Sequence, residues 1–105
     1  MLEIVLKGVV CRVSFRTKKS VVFIDEDDHE RLYEWWHDNH IDTKLETLTH
    51  PITNRPCPQI QAESTAKDIQ DGTPVDIKIK AASRNMKSGE IRVGIRTLSI
   101  TPRAL

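Results

Sequence analysis

The residues whose type and spacing could do chemistry are cations that alternate with apolar residues in three stretches. In residues 9–16 the register Val9, Cys11, Val13, Phe15 alternates with Val10, Arg12, Ser14, Arg16. In residues 75–81 the register Val75, Ile77, Ile79, Ala81 alternates with Asp76, Lys78, Lys80. In residues 91–96 Ile91, Val93 and Ile95 alternate with Arg92, Gly94 and Arg96. Period-two alternation puts each register on one face of a sheet. If the three strands share a sheet, one face is a core and the other a basic strip, and such a strip suits a phosphate backbone. A plainly solvated sheet face carries the same pattern.

Two connections add to this charge. Arg16, Lys18 and Lys19 read as the tip of a hairpin, beside Thr17 and Ser20. Arg84 and Lys87, with Asn85 and Ser88, read as a second basic loop before the last strand. Hydroxyls and amides of this kind can bond phosphate oxygens, although hairpin tips are also Lys-rich to block edge pairing. Phe15 beside the first tip, and Trp35 or Trp36 on a helix, are candidates for stacking on a base. Adjacent helical residues point about 100° apart, so one tryptophan is expected in the core and the other half exposed.

Other constellations carry less. Asp25, Asp27, Asp28 and Glu30 could hold a divalent cation for phosphodiester hydrolysis, but acids at a helix start also answer the positive end of its dipole. His37 and His40, with Cys57, could begin a zinc site, yet no CxxC, HxxxH or HExxH is present. No GxSxG, P-loop or GxGxxG occurs. The expectation is a protein without a catalytic residue, metal or cofactor.

These residues need elements to position them. Residues 2–16 read as one long strand whose apolar register changes parity at Gly8, the mark of a bulge or bend. Residues 20–25 read as its return strand, and their run Val21-Val22-Phe23-Ile24 suits burial on both faces. A helix is expected over about residues 27–39, capped by Asp25 or Asp27, with Leu32, Trp35 and Trp36 as its apolar stripe. Residues 40–66, with Pro51, Pro56 and Pro58, read as loop with one short strand near 45–49 or 59–62. Asp71-Gly72-Thr73-Pro74 is a turn. Strands follow at 75–81 and 90–100, with a second parity change near Thr97.

The chain has 105 residues, 38% hydrophobic and 30% charged, which fits one soluble globular domain over residues 1–105. Its formal net charge is +1, so affinity for an anion must come from uneven placement of charge. No apolar run approaches the roughly 20 residues of a membrane span, and the N-terminus is too short and polar for a signal peptide. The expected setting is intracellular, with no membrane partner. Cys11 and Cys57 are expected as free thiols.

The hairpin, the two basic loops and the closing run Gly89-Glu90-Ile91-Arg92-Val93-Gly94-Ile95-Arg96-Thr97-Leu98-Ser99-Ile100 resemble a small OB-fold single-stranded nucleic-acid-binding protein of the phage or plasmid type. The resemblance covers about half the chain and rests on strand order and loop charge. In that family the loop after the first strand and the loop before the last flank the binding face. The helix there follows the third strand, whereas here it follows the second. The expected fold is α+β and mostly β, a small curved antiparallel sheet or an OB-like five-stranded barrel with one helix. The resemblance implies binding to single-stranded DNA, ahead of RNA, with low sequence specificity and a role in DNA replication. Arg12, Arg16, Lys18, Lys19, Lys78, Lys80, Arg84, Lys87, Arg92 and Arg96 would neutralise phosphates. Two alternatives remain open. One is a protein-interaction module, a viral inhibitor or assembly subunit, that uses the tryptophan helix and a strand edge and could form a homo-oligomer. The other is a small metal-dependent nuclease.

Overall fold

Alternation carries residues 74–102 into a long antiparallel hairpin, and the rest of the sheet builds on it. The computed structural model describes residues 2–14, 19–62 and 69–103, and of residues 12–14 and 19 the backbone only. Its strands are β1 (Glu3–Ser14), β2 (Lys19–Ile24), β3 (Thr47–Thr49), β4 (Pro56–Gln61), β5 (Pro74–Asn85) and β6 (Ile91–Pro102). They form one six-stranded antiparallel sheet in the order β3-β4-β2-β1-β5-β6. Between β2 and β3 lie a 3-10 turn (Glu26–Asp28) and helix α1 (His29–Asp38). The fold is α+β and mostly β, and the sheet does not close into a barrel.

One face of the sheet is the core. Ile4, Leu6 and Val10 of β1 meet Val22 and Ile24 of β2, Ile60 of β4, and Val75, Ile77, Ile79 and Ala81 of β5. Leu32 and Trp35 of α1 cover them. Trp36 is half-buried beside Trp35, with its ring edge-on at 6.3 Å, as expected for neighbouring helical residues. A second cluster lies on the opposite face of β1, β2 and β4, where Val21, Phe23 and Cys57 are buried against Cys11. The run 21–24 is therefore buried on both faces, as its composition predicts.

Three expectations about register need correction. The parity of β1 does not change at Gly8. Leu6, Gly8 and Val10 all face the core, while Val9 and Cys11 face the other way. Gly8 is required by close approach instead, since a Cβ there would lie 2.5 Å from Val22 Cγ1 and 2.6 Å from the Phe23 carbonyl oxygen. Second, both short segments of the middle region are strands, although β4 carries two prolines. Pro56 and Pro58 pair with the three-residue edge strand β3, and β2 pairs only with Gln59–Gln61. Third, β5 runs on to Asn85, so Arg84 belongs to a strand and the connection is the short turn after it. The parity change expected near Thr97 is present. Lys78 pairs with Ser99 and Ile79 with Thr97, which leaves Leu98 unpaired in a bulge.

The sheet is curved. Flat, it would separate β4 from β6 by about 19 Å, four strand spacings. Yet Ile60 and Ala62 of β4 line one groove with Ile95 and Thr97 of β6. A strap, residues 42–46, spans the open seam between these strands. At one end the Asp42 amide donates to the Val93 carbonyl at 2.8 Å, and the Val93 amide donates to Asp42 Oδ2 at 2.8 Å. At the other end the Gln59 amide donates to the Glu46 carbonyl at 3.0 Å, and Gln59 Nε2 to Glu46 Oε2 at 2.9 Å. No helix among the described residues is long and apolar enough to cross a membrane.

Candidate functional site

On the solvent face of the β5–β6 hairpin the register sets cations opposite cations. Arg84 pairs with Arg92 and Lys80 with Arg96, and the pair between them is Ala82 with Gly94. Like charges directly opposite each other destabilise a sheet. Arg84, Arg92 and Arg96 are exposed and Lys80 is half-buried. Arg92 lies 3.7 Å from Glu90, a pair with both side chains largely exposed, and such pairs contribute little. Lys80, Arg84 and Arg96 make no ion pair with a described acid. Lys78 differs, since its ammonium lies 3.3 Å from Glu3 of β1. Lys87 is exposed in the turn that joins the two strands.

The seam groove opens beside these cations and encloses about 1220 Å³. Arg84, Arg92 and Arg96 line it from the hairpin, and Lys44 lines it from the strap. The strap's two acids, Asp42 and Glu46, are both hydrogen-bonded to the strands they join. Trp36 also lines the groove, and its indole N–H donates to the Thr43 carbonyl at 2.9 Å. Lys44 was not legible as a site residue. It sits in a segment without periodicity, and only long-range hydrogen bonds bring it beside the hairpin.

The remaining expected site residues fall elsewhere. Arg12 pairs with Ser20 through its backbone, and its side chain lies outside the described residues. The described part of the basic strip spans two strands, β5 and β6. Lys19 pairs with Ser14 at the start of β2. Phe15, Arg16 and Lys18 lie outside the described residues. Trp35 is 7% exposed in the core, so a base cannot stack on it, and Trp36 is the described aromatic left beside the groove.

The acidic cluster is dispersed into structural contacts. Asp28 is buried, and Oδ2 accepts the Lys7 amide at 2.8 Å while Oδ1 accepts Arg31 Nη1 at 3.1 Å. Arg31 Nη2 donates in turn to the Val5 carbonyl at 3.0 Å. These two side chains continue the ladder along β1 past the last residue of β2 and satisfy main-chain groups that would otherwise lack partners. Glu26 pairs with Arg55 at 3.1 Å, and Asp25 lies 3.7 Å from Arg103. The expected helix cap at Asp27 is absent. Asp25 and Asp28 hold the cap positions of the two helical turns, and neither makes a side-chain cap hydrogen bond. Among the described residues no three of His, Cys, Asp and Glu converge as a metal site.

Cys57 and His29 form one further chemical pair. Their Sγ and Nε2 lie 3.7 Å apart, and both contact the Ile24 carbonyl, His29 at 2.7 Å and the thiol at 3.1 Å. A thiol that donates to a carbonyl keeps its proton. Burial pushes the Cys57 pKa up to about 11, and the Asp25 and Glu26 charges push the same way. This is an inert thiol and not an activated nucleophile.

No family model, curated protein or solved structure matches this chain.

Proposed function

We propose that this protein binds single-stranded nucleic acid with little sequence preference through the β5–β6 hairpin and the seam groove beside it. The observation that carries the reading is the pair of like-charged cross-strand positions, Arg84 with Arg92 and Lys80 with Arg96, on one solvent face. Their mutual repulsion destabilises the free protein, and a phosphate chain laid over them relieves it. Arginine suits this role because its planar fork meets two phosphate oxygens at once. A flexible single strand can follow a curved hairpin and turn unpaired bases toward the groove, where Trp36 offers a half-exposed ring edge.

A titration of labelled oligo-dT and oligo-U against the protein tests it. With four phosphates neutralised, the logarithm of affinity should fall against the logarithm of salt with a slope of about −3. Absence of binding to either oligomer at about 50 mM salt overturns the reading, since electrostatic binding is strongest at low ionic strength.

A further inference from the structure

Gly94 stands at the centre of the cationic face, and nothing in the fold requires a glycine there. A Cβ built on it would meet only Thr43 Oγ1, at 3.7 Å, an ordinary contact. Its backbone is not in the left-handed region, unlike that of Gly89 at φ 84°. Gly8 is the contrast, with its Cβ position already filled by β2. Glycine inside a strand weakens it and marks places where another chain approaches the main chain closely. Across the sheet from Gly94 is Ala82, the smallest side chain a strand can otherwise carry. The two cation pairs stand about 7 Å to either side of this pair, two residues along each strand.

We propose that the sugar–phosphate backbone of the bound strand runs lengthwise over the hairpin and rests on the main chain at Ala82 and Gly94. Phosphates lie on the Arg84–Arg92 pair at one end and on the Lys80–Arg96 pair at the other. The small residues between them let the chain sit low enough for both pairs to reach it at once. This inference rests on the proposed nucleic-acid reading and adds a path to it.

The test is Gly94→Val, measured against Ser99→Val, an exposed position on the same face opposite Lys78. Gly94→Val should melt at or above the wild-type temperature, because valine favours strands and its Cβ makes only an ordinary contact here, with the Thr43 hydroxyl. It should weaken oligo-dT binding at least about ten-fold, by lifting the backbone from the charge-assisted bonds of both cation pairs, while Ser99→Val binds like wild type. If Gly94→Val lowers the melting temperature, Ala82→Val carries the same test from the opposite strand. Binding failure of the wild type sinks the nucleic-acid reading itself. Wild-type affinity in both valine variants, with loss in Arg84→Ala plus Arg92→Ala, leaves the face standing and overturns this path.

Discussion

The β1–β2 and β5–β6 hairpins share one core and differ in what their outward registers carry. In β1 and β2 the outward residues Val9, Cys11, Val21 and Phe23 are apolar, and β4 covers part of them with Cys57. His50 adds its ring against Phe23 at 5.2 Å. In β5 and β6 the outward residues are Lys78, Lys80 and Arg84 facing Ser99, Arg96 and Arg92. The inward registers of both hairpins are alike, so they set the fold. The outward registers differ because one hairpin is covered by the protein's own chain, while the other presents charge to solvent.

That contrast can be broken most severely at Gly8, where β1 approaches β2 too closely for any side chain. Gly8→Val should cost more than about 3 kcal/mol, because the added atoms meet main chain as well as Val22 and the neighbours cannot yield without disturbing the core. Thermal denaturation followed by circular dichroism reads this. A near-wild-type melting temperature would mean that the two strands are not packed as closely as described.

The second largest effect belongs to the other hairpin and appears in binding, not stability. Arg84→Ala with Arg92→Ala removes two phosphate contacts. It should weaken single-strand affinity on the order of 100-fold at low salt and make the salt slope shallower by about 1.4. The melting temperature should hold or rise, since a like-charged cross-strand pair disappears. Lys78→Ala should do less to binding, because Lys78 faces Ser99 and stands outside the two like-charged pairs. Equal losses at Lys78 and at the arginine pair would mean that general charge, not the paired arrangement, governs affinity.

The same contrast explains what was legible in the sequence. Residues 75–81 have one face buried and one half-exposed, and in residues 91–96 Val93 and Ile95 are half-buried while Arg92 and Arg96 are exposed, so their alternation reports the true register and the bulge near Thr97. Residues 20–24 of β2 are buried on both faces, and Val9 of β1 is half-buried on the face opposite buried Val10. Val9 and Val10 are then equally apolar, parity carries no information, and the sequence suggests a register change at Gly8 that the pairing does not have. β4 is hidden by Pro56 and Pro58, which are tolerated because their partner is a three-residue edge strand. The strap at residues 42–46 has no local signal at all, since its placement comes from bonds to Val93 and Gln59, far away in sequence.

Charges that serve the fold give the third prediction. Asp28→Ala leaves the Lys7 amide and Arg31 without their acceptor, and an unsatisfied buried group of this kind costs about 2 kcal/mol. The exposed Asp27→Ala should cost under about 0.5 kcal/mol. Denaturant melts of the two variants separate these roles. A larger loss at Asp27 would restore the helix cap that the structure lacks. Neither variant should change nucleic-acid affinity.

The smallest effect concerns the covered side of the sheet and its buried thiol. Cys57 has its pKa raised from 9.0 to about 11, chiefly by burial. The folded state therefore holds this proton more tightly than the unfolded chain does. Its contribution to stability is complete below about pH 9 and is lost as the pH climbs from there through 11. Cys57→Ser keeps a donor in place but does not titrate in this range. Wild type should thus lose stability relative to Cys57→Ser as the pH rises from about 9 to about 11. Cys11→Ser, which removes the other thiol whose pKa burial and Asp71 raise, provides the comparison. The difference should be larger at Cys57, which is buried where Cys11 is only half-buried and whose pKa burial raises to about 11. Parallel stability curves for wild type and Cys57→Ser would show that the thiol is not sealed against Val21 and Phe23 of β2, and the covered half of the sheet would then be as open to solvent as the cationic one.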